Sequence, residues 1–382
     1  MSAAGMAAPR SSGAGGKQFF LINLLKAGAA QLIVLHHLAF YGPMADHARP
    51  LAPDLFDWLA GDARIAVQVF LVIGGFLAAK SLSPRGLPSL NNPLTTIWRR
   101  YLKLAPPFLV AMLLAIGASA LASTWMTHDS ISAPPSFGQL SAHALLLHDV
   151  LGYEALSAGA WYVAIDFQLY AAMSLLLWGC GRFAGGRNVP WLMPVVMTTV
   201  VAASLLYFNL DSDWDVWAPY FLGSYGLGAL AWWASDPTRW PRAVALLLLM
   251  MAGPALLALT LDFRSRIAVA LAVACVLMLC GRMQTASTGM WPTVNRMAKI
   301  SYSVFLIHFP VCLVVNAAFA QFVPAQAPLQ AVGTLLAWVG SLAVGSVFFY
   351  CVESPLGRAF SRAPSQIKRE ALATNRPVSA KL

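Results

Sequence analysis

Ten long apolar stretches recur along the chain and constrain its fold more than any other feature. They lie at roughly 19–41, 63–82, 104–123, 158–179, 190–208, 216–234, 243–261, 266–281, 300–320 and 330–352. About 17–25 apolar residues make one helix long enough to cross a bilayer. Composition agrees, with 59% hydrophobic residues, 10% charged residues and a mean hydropathy of +0.66. A soluble domain carries about 25% charged residues. The sequence therefore predicts an all-α integral membrane protein, a polytopic bundle of about ten transmembrane helices. Residues 1–18 read as a disordered cytoplasmic head, 19–356 as the membrane domain and 357–382 as a disordered basic tail. Arg10 and Lys17 precede an apolar run longer than the 7–15 residues of a cleaved signal, so the first span is expected to be retained.

Charge distribution sets the threading. With both termini in the cytoplasm, twenty of the 25 Lys and Arg residues fall inside. Four, Arg49, Arg64, Arg264 and Arg266, fall outside, and Lys26 lies within a span. That is the asymmetry the positive-inside rule demands. A net charge of +10 scattered between spans also excludes a nucleic-acid groove. The five cysteines form no CxxC pair and no ligand spacing, so no metal site is expected. Two loops are long. The inner one, 83–103, ends in a basic cluster; in the outer one, 124–157, "FGQLSAHALLLHDVLG" reads as a short helix on the outer surface. No internal repeat is visible.

Ionisable groups inside spans are costly and mark functional sites by default. Lys26, His37, Asp166 and His308 qualify. Lys26 and His37 are eleven residues apart, which brings them to within about 20° of one helix face and about 16 Å apart along it. His36 is about 80° away, a neighbour without an assigned role. Ala29, Ala30 and Ile33 lie between on that face and are mostly small, which leaves room for a narrow ligand. Structural alternatives stand beside these: Lys26 snorkelling to the inner interface, His37 bonding a neighbouring helix, and His308 repairing the helix ahead of Pro310. Asp166, about two turns inside its span, is expected to orient a histidine such as His37, with a structural interhelix pair as the alternative. Arg99, Arg100 and Lys103 precede the third span, where guanidinium groups suit phosphate. On charge alone, topological charge or lipid headgroup binding explains them better.

These pieces together resemble the acyltransferase 3 family of membrane acyltransferases. Its Asp, Arg-x10-His signature is met here by Asn23, Lys26 and His37. A glycine motif is met by Gly74–Gly75–Phe76, the Arg-x-x-Arg motif by Arg100, Lys103 and then Pro106. Trp161, Asp166 and Tyr170 match a further motif, "ISYSVFLIHFP" is nearly intact at Ile300–Pro310, and Glu353 and Pro355 close the set. Lysine replaces arginine twice, aspartate replaces glutamate and asparagine replaces aspartate. The resemblance implies transfer of an acyl group, usually acetyl, from cytoplasmic acyl-coenzyme A to a hydroxyl of a surface or exported carbohydrate or glycolipid. The donor is a substrate, and no permanently bound cofactor is implied. His37 and Asp166 would carry the chemistry. Lys26, Arg99, Arg100 and Lys103 would hold the donor; His36, Trp161, Tyr170, Tyr302 and His308 would contact substrate. The expected setting is the inner (plasma) membrane, among lipids, with no nucleic-acid partner. The rival function is a transporter of an anionic or sugar-like solute using the same Lys, His and Asp groups.

Overall fold

A computed structural model of the protein describes residues 14–282 and 292–360, with side chains from residue 20 onward. Of the head (1–18) and tail (357–382) expected to be disordered, residues 14–18 and 357–360 are helical, and the rest lie outside the described residues. Among those described, every regular element is helical. In chain order they are α1 (Ala14–Phe40), α2 (Pro43–Ala48), α3 (Pro53–Gly61), α4 (Val67–Leu82), α5 (Pro93–Ala122), α6 (Phe137–Ala144) and α7 (Ala160–Phe183). There follow α8 (Leu192–Leu206), α9 (Ala218–Ala234), α10 (Pro241–Leu261), α11 (Ser265–Arg282), α12 (Pro292–Phe322) and α13 (Ala327–Phe348). A π-helical segment, Phe349–Glu353, continues α13. Among the described residues, nine helices are long and apolar enough to cross a membrane. The tenth expected span is α9, 17 residues long, a length still within the spanning range. The chain is a multi-pass helical membrane protein.

The chain forms two compact units. The first comprises residues 1–36, 57–93 and 168–301. Its centre is α9 against α4, and glycine makes that packing what it is. A Cβ at Gly75 would stand 1.7 Å from the Tyr225 carbonyl oxygen, and one at Gly228 would stand 1.9 Å from that of Val72. Two helix backbones meet there, as small residues allow in membrane bundles. Ser224 donates to Gln68 at 2.6 Å across the same contact. The inner loop is tied down by indoles: Trp233 donates to the Ser83 carbonyl at 2.8 Å and Trp232 to that of Pro84 at 3.0 Å.

The second unit comprises residues 37–56, 94–167 and 302–382. It holds the end of α1, α2, nearly all of α5, α6, the start of α7, the second part of α12, and α13. In α5 and α12 we use "outward" for the ends at Ala122 and Phe322, the side the charge asymmetry assigns to the outside. Tyr302 donates to the Leu104 carbonyl at 3.0 Å and sets their mutual register. Asn316, on the outward half of α12, accepts from the Met44 amide at 3.2 Å and so seats α2.

The outer loop departs from expectation. It does not lie wholly on the surface: Ala142, His143, Leu146 and His148 are buried. Tyr101 donates to the Ala144 carbonyl at 2.7 Å, and Phe108 stacks beside both histidines. Phe108 is fourteen residues, about 21 Å, from the outward end of α5. Gly159, just before α7, packs against Phe305 of α12. The segment therefore turns back into the bundle. Re-entrant backbone is tolerated only where protein covers it, and here α5 and α12 do so. The apolar side chains of Ala142 and Leu146 favour that burial.

Candidate functional site

His308 lies fourteen residues from the outward end of α12, about 21 Å along the axis. His37 is three residues from the end of α1. Yet the two rings touch: His37 Nδ1 stands 2.6 Å from His308 Nε2, with centroids 4.9 Å apart and planes 6° from parallel. The end of α1 is thus level with the middle of α12. His308 Nδ1 lies 2.6 Å from the Phe305 carbonyl oxygen of its own helix. Pro310 removes the amide that would serve the Leu306 carbonyl, so His308 is not repairing that gap. Both imidazoles are buried, at 7% and 0% exposure, which a membrane interior permits only to satisfied polar groups. Tyr41 flanks His37, Phe305 flanks His308, and Phe309 packs edge-on to Tyr41. Tyr162, next to Trp161 at the start of α7, packs on Phe305.

A second polar cluster gathers Arg100, Lys103, Asp166, Tyr302, Ser303 and Glu353. Arg100 donates to the Asp166 carboxylate as an ion pair. This corrects the expectation that Asp166 orients His37. Asp166 is paired with a cation of α5, and the imidazole facing His37 comes from α12. The reason is electrostatic: a guanidinium and a carboxylate at partial burial neutralise each other, as a neutral imidazole cannot. Glu353 accepts from Ser303 at 2.5 Å. The π-helical turn that contains Glu353 shifts the helix register there, and such turns recur at functional sites. Lys103 lies within electrostatic range of Arg100, Glu353 and Asp166, and Tyr302 within range of Glu353, Asp166 and Arg100. Two cations and two carboxylates thus offset one another. Arg99 and Lys103 are on exposed parts of α5.

The remaining predicted residues, Lys26, His36 and Tyr170, belong to the first unit. His36 Nδ1 donates to the Leu59 carbonyl at 2.9 Å. Lys26 is half-buried, and Ala29, Ala30 and Ile33, expected to leave room, are themselves buried at 2–4% exposure. Asn23, where the family signature has aspartate, donates to Asn295 at 2.9 Å. Sequence reasoning missed the Ser303–Glu353 bond, although both residues lie in quoted motifs; their contact across fifty residues carries no local signal.

The chain matches the acyltransferase 3 family, described as an acyltransferase domain, over residues 20–352, and it belongs to that family. It is also similar to the "Regulator of hypoxia-inducible factor 1" of Caenorhabditis elegans, 26% identical over 169 residues. That match covers 44% of this chain and 32% of the relative, so the chain spans about a third of the relative's length. No solved structure matches.

Proposed function

We propose that the protein is an O-acyltransferase of the inner membrane, with both termini cytoplasmic, that moves an acetyl or similar acyl group from acyl-coenzyme A to a carbohydrate or glycolipid hydroxyl. The observation that carries this is the buried His37–His308 pair at mid-helix depth in a chain whose family transfers acyl groups. His37 takes the proton of the acceptor hydroxyl as the oxygen attacks the thioester carbonyl. The tetrahedral intermediate collapses, the carbon–sulfur bond breaks, and the proton passes from His37 to the departing thiolate. The products are the ester and free coenzyme A. General-base help of this kind contributes about 10²–10⁴-fold.

Arg100 is committed to Asp166, so the donor's phosphates fall to Arg99 and Lys103 at the inner end of α5. A lysine holds phosphate as a point charge and not through a planar fork. Family membership sets this function above solute transport. The test supplies membranes containing the protein with acetyl-coenzyme A labelled in the acetyl group. Label in the glycolipid or polysaccharide fraction, dependent on the protein, supports the proposal. Solute uptake without label transfer contradicts it.

A further inference from the structure

We propose that His308 is a positioning residue that fixes which nitrogen of His37 bears the reactive lone pair. The inference rests on the general-base role proposed for His37 and deepens it. It follows from a chain of hydrogen bonds that can be ordered in only one direction.

The chain starts at the Phe305 carbonyl oxygen, which can only accept. His308 Nδ1, 2.6 Å away, must therefore carry a proton. In a neutral imidazole the other nitrogen is then an acceptor. His308 Nε2 faces His37 Nδ1 at 2.6 Å, a distance that requires one proton between them. Two lone pairs or two N–H groups there would repel. The proton belongs to His37, so His37 is the Nδ1–H tautomer, and its Nε2 bears the lone pair. The base is Nε2, the nitrogen on the far side of the ring from His308. Tautomer assignment from the partner of the other nitrogen is the general logic of histidine sites.

The same chain serves the transition state. When Nε2 accepts the hydroxyl proton, His37 becomes an imidazolium whose Nδ1–H still points at a lone pair. His308 thereby does for His37 what a carboxylate does in other hydrolytic and acyl-transfer sites, without bringing a buried negative charge. The cost of an uncompensated charge in hydrocarbon explains the choice of a neutral partner. The end of α1 and the mid-helix position of His308 are held together by the burial of both rings, so the geometry is built into the fold.

The experiment reads the tautomer directly. Protein labelled with ¹⁵N-histidine is placed in lipid nanodiscs, and the His37 signals are assigned by difference from His37→Gln. In the unmodified protein His37 is expected to carry its proton on Nδ1. His308→Leu should shift His37 toward the Nε2–H form and lower kcat by about 10²–10⁴-fold, with donor KM little changed. His308→Gln places an amide oxygen where Nε2 stood and should restore both the Nδ1–H signal and most of kcat. His308→Asn reaches the Phe305 carbonyl but not His37, and should behave like leucine even if the leucine variant fails to fold. Proton on Nε2 in the unmodified protein overturns the inference, as does a tautomer indifferent to all three substitutions. Full activity in His37→Gln would instead overturn the general-base role while leaving the tautomer result standing.

Discussion

The second unit holds two pairs of parallel histidine rings, and they differ in what their nitrogens do. His37 and His308 come from helices 271 residues apart and meet nitrogen to nitrogen. His143 and His148 are five residues apart in one loop and meet face to face, with centroids 4.0 Å apart and planes 12° from parallel. In the loop pair His143 is saturated: its Nδ1 donates to the Gln139 carbonyl at 2.8 Å, and its Nε2 accepts from the Leu156 amide at 3.1 Å. Both nitrogens of His148 are buried without a hydrogen bond among the described residues. Its Nε2 is 3.3 Å from the Asp149 carboxylate, but the angle is not that of a hydrogen bond. Burial, and then the neighbouring His143, push His148 down to about 3, while burial lowers His143 despite its bond to Gln139. One pair is wired end to end, its chain closing on the Phe305 carbonyl. The other is a neutral plug, stacked on Phe108, that holds the re-entrant loop.

Substitution should separate the pairs. The largest effect is expected at His37: alanine there should remove acylation of surface glycans by two orders of magnitude or more, read by glycan mass spectrometry, at unchanged protein level. His148→Phe should leave acylation intact. Equal losses at both positions would break the distinction.

The next effect is on stability. Asp166→Asn strands Arg100 and should lower the thermal midpoint in detergent. The cost should fall below the about 3–5 kcal/mol of breaking a fully buried pair, because the two side chains keep 25% and 13% of their surface exposed. Arg99→Gln should leave the midpoint unchanged and raise the donor KM.

A third, smaller effect depends on pH. His148 is neutral in the folded protein and titrates near its ordinary value when unfolded. The unfolded chain therefore binds more protons between about pH 6.5 and about pH 3, and stability falls as pH falls through that window. His148→Phe should flatten the decline of the thermal midpoint between about pH 7 and about pH 5. An unchanged slope would show that the plug is not what titrates. The smallest effect belongs to His36→Ala, which loses one bond to the Leu59 carbonyl, about 1 kcal/mol, and should keep acyl transfer within about threefold.

Much of this was legible in the sequence because lipid imposes strict rules on length and charge. The C-terminal ends of the spans fell within a few residues of expectation, and the motif at Ile300–Pro310 placed His308 in the middle of its helix; not all the starts did, since α5 begins at Pro93 inside the expected inner loop and α12 at Pro292. Partner choice was not legible. Helix periodicity puts Lys26 and His37 on one face of α1 but says nothing of which helix that face meets. Asp166 reads from sequence as the partner of an imidazole or as half of a structural interhelix pair, and only the packing of α5 beside α7 decides for Arg100. The outer loop was misplaced for a related reason: its polar flanks suggest a surface, whereas Ala142, Leu146 and two histidines are buried. The π-helical turn at Phe349–Glu353 has no sequence signature beyond the motif that contains it.

The measurement closest to the central claim is single-turnover transfer by purified protein in nanodiscs, with labelled acetyl-coenzyme A and a glycolipid acceptor. The unmodified protein should form labelled ester, and His37→Ala, folded and binding donor normally, should form it slower by about 10²-fold or more. Equal rates for the two would show that the imidazole pair does not carry the reaction.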